Sequence, residues 1–105
     1  MHIQIVNFNL KDLSQENFDK LCDQLAPVWA EIPGLQKKVW LADAATNTYG
    51  GVYFWRDREA METYAKSELF HDIATHPNLV NITSTDFTII EGPTRVTHGS
   101  DVVPV

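Results

Sequence analysis

The sequence has little from which to build covalent or metal-held structure. Cys22 is the only cysteine in 105 residues, so an internal disulfide is excluded and no cysteine spacing suits a zinc site. Basic residues are scarce as well. Eight Lys and Arg against fourteen Asp and Glu leave a net charge of −6. That argues against nucleic acid gripped through its phosphates and against an anionic membrane surface. No apolar run approaches the roughly 18 residues of a membrane-spanning helix. Met1-His2-Ile3-Gln4 has neither a basic nor an apolar leader character, so a cytoplasmic protein is expected. No phosphate-cradling glycine loop is present either. Tyr49-Gly50-Gly51-Val52 lacks the spacing of a dinucleotide or P-loop motif, and no flavin, nicotinamide or other cofactor is expected. No repeat or linker divides the chain.

What remains is an ordinary globular balance, 44% hydrophobic and 21% charged, enough for one core. Residues 3–8 read as a strand. Ser14 is placed to cap a helix whose apolar positions are Phe18, Leu21, Cys22, Leu25, Trp29 and Ile32, a helical rhythm. Pro27 lies inside it and predicts a kink. Pro33-Gly34 ends it. Residues 35–42 and 50–55 read as a hairpin around a polar loop, with Asn47 suited to a left-handed turn position and Gly50-Gly51 as the loop's end or a bulge. Asp57 caps a second helix with Ala60, Met61, Tyr64 and Ala65 inward. A short helix over 68–75 and a strand over 81–91 complete the domain, residues 1–92. Gly92-Pro93 ends that strand, and residues 93–105 are expected to form an extended tail.

The order is β-α-β-β-α-β, an α+β, ferredoxin-like arrangement with an antiparallel sheet. Both helices then cover one sheet face. The third strand does not alternate apolar with polar. Val52 and Phe54 point one way, Tyr53 and Trp55 the other. In the second strand Leu35, Val39 and Leu41 form one set, and Trp40 belongs to the other. An apolar second face predicts a partner, most simply a second copy in a face-to-face homodimer. The stretch PGLQKKVWLADAATNTYGGVYFWRDREAMETY, Pro33 to Tyr64, resembles the YdhR-type monooxygenases of the dimeric α/β-barrel group, which includes the antibiotic-biosynthesis monooxygenases. The resemblance spans roughly residues 1–99, and the hairpin is its most specific part. It implies the same dimeric fold and a monooxygenase activity.

The candidate site is aromatic. Placing Ala42 opposite Gly51 puts Trp40 opposite Tyr53. With Trp55, Trp29 and Tyr64, these rings form a pocket between helices and sheet for a small hydrophobic or aromatic molecule, oriented by indole N–H and phenol O–H donors. The competing reading is that the rings merely pack. Asn7 is a further donor to a substrate oxygen. His71, beside Phe70 and Ile73, and Asp86, inside the last strand, are the candidate catalytic bases. His2 is a weaker candidate, and His76, next to Pro77, reads as a cap or surface residue. His71 and His76 do not share a helix face, so no metal site is expected. Cys22 reads as a buried, inert thiol. These features describe a cofactor-independent monooxygenase acting on an enolisable aromatic or polyketide-like substrate. Such a substrate, once deprotonated, can itself give an electron to O₂. The alternative is a small-molecule binding protein, or a non-oxidative cyclase or isomerase, on the same dimeric scaffold.

Overall fold

The computed structural model describes residues 1–101. Its elements are β1 (His2–Leu10), α1 (Gln15–Ala30), β2 (Leu35–Asp43), β3 (Thr48–Trp55), α2 (Arg58–Ala65), α3 (Glu68–Ala74), β4 (Leu79–Thr88) and α4 (Glu91–Val96). The four strands form one antiparallel sheet in the order β2-β3-β1-β4. This is the expected ferredoxin-like pattern. Each of the first three helices starts on a side-chain oxygen that takes a free backbone N–H. Ser14 accepts from Asn17, Asp57 from Ala60 and Ser67 from Phe70. Pro27 is accommodated within α1.

Alternation along the two central strands sorts the sheet into two faces. His2, Gln4, Val6 and Phe8 of β1, with Tyr49, Tyr53 and Trp55 of β3, are buried. They pack with Phe18 and Trp29 of α1 and with Ala60, Met61 and Tyr64 of α2. Ala65, expected inward, is exposed. The opposite face has no covering element among the described residues. There Val39 is 41% exposed and Phe87 53%, beside the half-buried Ile3, Ile5, Val52 and Phe54.

Several expectations are corrected here. Gly50 and Gly51 lie inside β3, not at the loop's end, and the hairpin register is shifted by two residues: Trp40 faces Gly51, Lys38 faces Tyr53 and Ala42 faces Tyr49. A register irregularity between Leu35 and Lys37 turns Leu35 toward the core, away from Val39 and Leu41. The last strand begins two residues earlier than expected and stops at Thr88, because Thr88 already pairs with His2 at the start of β1. Finally, residues 93–96 belong to helix α4 and are not extended. Pro93 falls in its first turn, where the missing N–H would have no intrahelical partner anyway. The remaining tail residues, 102–105, lie outside the described residues.

At Gly50 the β1 backbone leaves no room for a side chain on β3. The Gly50 φ is +153°, and a Cβ there would stand 1.8 Å from the Val6 carbonyl oxygen. Gly50→Ala is therefore expected to cost on the order of 3 kcal/mol or more, read as a lowered urea midpoint or as loss of folded protein. An alanine variant of equal stability would show that this approach is not a constraint.

Candidate functional site

The hairpin register places Lys38 next to Tyr53 and, two residues on, Trp40 next to a glycine. Gly51 carries no side chain, and the Lys38 stem occupies the space: a Cβ on Gly51 would lie 2.8 Å from Lys38 Cε. The ammonium is thereby brought in among three rings. Lys38 Nζ lies 3.4 Å from the centre of the Trp40 ring, 4.2 Å from Trp29 and 4.6 Å from Tyr53. Trp29 comes from α1 and meets Trp40 edge to face, ring centres 5.7 Å apart. Below them is a small apolar cavity of about 40 Å³ walled by Phe18, Cys22, Trp29, Lys38, Trp40 and Tyr53 among others. That is room for little more than a water or two.

Burial sets the electrostatics of this site. It pulls the Lys38 amine down to about 7, against a smaller upward pull from Cys22. Lost hydration disfavours the cation, and the ring faces favour it. Lys38 is therefore close to half neutral at physiological pH. Burial pushes the Cys22 thiol up, with Lys38 acting in the opposite sense. It also pushes the Tyr53 hydroxyl up, helped by Tyr64, and raises Tyr64 itself. Those two hydroxyls lie 3.4 Å apart. The Trp29 indole N–H is near enough to both to act against their rise. It makes no hydrogen bond of good geometry to either, although Trp29 is only 3% exposed.

Three residues named from the sequence, Trp29, Trp40 and Tyr53, meet at this cavity. Tyr64 stands behind Tyr53. Trp55 is fully buried in a second layer, stacked on Tyr53 at 5.9 Å with its N–H donated to Gln4. Asn7 pairs with Gly50 and Thr83, so strand parity places it on the uncovered face. His71 is exposed, because Phe70 and Ile73 take the inward side of α3. Asp86 is exposed on the edge strand β4, where its carboxylate meets the buried His2 at 2.6 Å. His76 accepts from the Asn78 backbone N–H, a local turn role. Neither His71 nor Asp86 lines the cavity. Lys38 was not singled out from the sequence, although it sits two residues from Trp40 and must share its strand face. Among the described residues no group of three His, Cys, Asp or Glu side chains is placed to hold a metal, and no helix is long and apolar enough to cross a membrane.

A family model described as "Putative mono-oxygenase ydhR" matches residues 3–100. Among solved structures, SnoaB from Streptomyces nogalater, a cofactor-independent oxygenase, superposes with a TM-score of 0.64 at 20% identity, over 84% of this chain and 92% of that one. MhuD from Mycobacterium tuberculosis, a haem degrader with two haems in its active site, gives 0.68 at 17% identity, over 86% of this chain and 96% of that one. A Deinococcus radiodurans protein described as a "putative antibiotic biosynthesis monooxygenase" gives 0.68 at 15% identity, over 85% and 92%. At these identities the likeness is one of fold. No curated protein sequence matches.

The Lys38 environment makes stability depend on pH. The amine titrates near 7 in the folded chain and near 10.5 when unfolded. Below pH 7 both states carry the proton, and the folded state bears the full cost of a poorly hydrated charge. Between those values the unfolded chain binds more protons, so this cost fades as pH rises. Lys38→Met is expected to raise Tm by several degrees at pH 6, with the gain shrinking toward pH 10. A gain independent of pH would overturn this account of the amine.

Proposed function

The chain belongs to the ydhR mono-oxygenase family, and on that premise we propose that it is a cofactor-independent monooxygenase. Its substrate is a flat, enolisable aromatic or polyketide-like molecule whose body lies in the cleft of about 270 Å³ walled by Trp29, Lys38 and Trp40, with its reacting carbon at the Lys38 amine. The observation that carries this is the half-neutral Lys38 amine held between aromatic faces. A base poised near neutrality can take a proton from a carbon or phenolic acid. Lys38 replaces His71 and Asp86 in that role. Both of those stand outside the cavity.

The chemistry needs no external reductant. Lys38 removes a proton from an activated methylene, and the resulting enolate passes an electron to O₂. Superoxide and the substrate radical combine at the same carbon. The O–O bond of the peroxide then breaks as its carbon gives up the second C–H proton; the outer oxygen takes that proton and the one returned from Lys38 and leaves as water, and the methylene has become a carbonyl. In this reading the Tyr53 hydroxyl and the Trp29 N–H hold the enolate oxygen. The likeness to SnoaB, a cofactor-independent oxygenase, supports the same reading. A porphyrin of the kind held by MhuD does not fit. The cavity is about 40 Å³ and its lining has no histidine.

We also place a second copy of the chain on the uncovered sheet face, where Val39, Phe54 and Phe87 lie. The homodimer closes the two sheets on one another, and the single free Cys22 suits a cytoplasmic setting.

Oxygen consumption tests the activity. With anthrones, quinols and flat phenols, protein-dependent O₂ uptake is expected, with quenching of tryptophan emission. Lys38→Met is expected to lower the rate about 10²-fold or more, while His71→Ala leaves it near wild type. Quenching without uptake would move the reading to a binding protein or a non-oxidative isomerase. Phe54→Asp is expected to convert a dimer to a monomer in analytical ultracentrifugation. A wild-type monomer at high concentration would sink the assembly.

A further inference from the structure

The cavity beneath Trp40 is furnished with donors and nearly without acceptors. The Trp29 N–H is buried and unpartnered. Tyr53 and Tyr64 share one hydrogen bond, which uses one of their two O–H groups and leaves the other over. Lys38 has no carboxylate partner among the described residues. Its ammonium touches only ring faces. A buried donor without an acceptor is costly, and a partly buried cation without an anion is costlier.

Charge also differs on the two sides of Trp40. On one side is a cleft of about 270 Å³ whose walls include Trp29, Gln36, Lys37, Lys38 and Trp40. The ionisable residues in its walls are both lysines, of which Lys38 brings its ammonium among the rings while the Lys37 ammonium lies over Phe54, and its size suits a small ligand. On the other side a cleft of about 400 Å³ carries Asp19 and Asp23 beside Cys22. An anion is drawn to the first and repelled from the second.

We infer that the site binds a flat aromatic oxyanion, with its acid oxygens among Lys38, Trp29 and the Tyr53–Tyr64 hydroxyls and its ring against Trp40 in the Lys37 cleft. The inference concerns the same cavity as the proposed oxygenation but stands on binding alone. It names a class, an aromatic carboxylate or ionised phenol, and it accounts for all three unmet donors with one ligand group. Binding is coupled to a proton. The titratable and charged groups around Lys38 are Cys22, Asp19 and Asp23 on α1, Lys37 on its own strand, Tyr53 on β3 and Tyr64 on α2. None of these supplies an anion to it at neutral pH from within the cavity. An incoming carboxylate does, and so restores the ammonium.

The test is calorimetry with 2-naphthoate and its neutral analogue 2-naphthamide, in phosphate and in Tris buffer. The acid is expected to bind at least tenfold more tightly than the amide. At pH 8 it should bring close to one proton with it, because free Lys38 titrates near 7. At pH 6, where the amine already carries its proton, that uptake should largely vanish. Lys38→Met should lose both the preference for the acid and the proton. Trp29→Phe, which keeps a ring but no N–H, should weaken the acid about tenfold or more, as expected for a hydrogen bond to a charged group, and keep the proton uptake. Equal affinity for acid and amide, no uptake at pH 8, an unchanged Lys38→Met, or no binding of naphthoate at millimolar concentration would each overturn the inference. Oxygen uptake from a neutral anthrone alongside any of these would leave the oxygenase reading intact. Tight, proton-coupled naphthoate binding without oxygen uptake by any substrate would do the reverse.

Discussion

Five of the rings buried between the helices and the sheet, Trp29, Tyr49, Tyr53, Trp55 and Tyr64, carry a polar edge, and the protein is organised by where those edges go. Trp55 gives its N–H to Gln4, and Gln4 passes on a donor to Ser84, so one buried amide ties β3 through β1 to β4. Tyr49 finds Gln15 at the start of α1. Tyr53 and Tyr64 find each other. A buried polar group that goes unpaired costs about as much as a hydrogen bond or more, so these pairings fix strand register and helix placement together. The accounting fails at one place, the Trp29 N–H, and that ring also faces the Lys38 ammonium. A core this well paired elsewhere sets the exception apart: the unpaired donor and the shielded amine lie together.

The fold was legible in the sequence because its signals are local. Ser14 and Asp57 are caps that need only the next turn to be recognised. Asn47 sits in the left-handed region, at φ 52°, as its side chain allows. The strand assignments follow from runs of apolar residues between breakers. What was not legible depends on pairing between distant segments. The register of β2 on β3 was set by placing Ala42 opposite Gly51, with the strand starting at Gly50, whereas β3 runs back to Thr48 and Gly50 is a glycine inside it, with the Val6 backbone against it. Nothing within the hairpin announces that contact. The end of β4 is likewise decided by where β1 begins.

The site divides in the same way. Aromatic residues on strands can be assigned to a shared face by parity, and that found Trp40 and Tyr53 even with the register displaced by two, since an even shift keeps the face. Parity also places Asn7 opposite them once the strands are paired. Lys38 escaped notice because a lysine next to a valine on an edge strand reads as a solvated side chain. Only the approach of Trp29 from α1 turns it into a shielded amine. His71 and Asp86 drew attention for their chemistry alone, and burial did not follow chemistry.

The sheet's wiring has a consequence for how the chain acquires this shape. β1 is central, yet one of its neighbours is β4, and the His2–Asp86 contact closes a separation of 84 residues. The β2–β3 hairpin forms from local contacts, and during synthesis β1 must wait for the last strand before its second edge is covered. Until then an apolar strand edge and an apolar sheet face are both open, in a chain with no element of its own among the described residues to cover that face. Growth of the nascent polypeptide is therefore the interval in which this protein is most exposed to aggregation, and the rate at which β4 emerges governs how long that interval lasts.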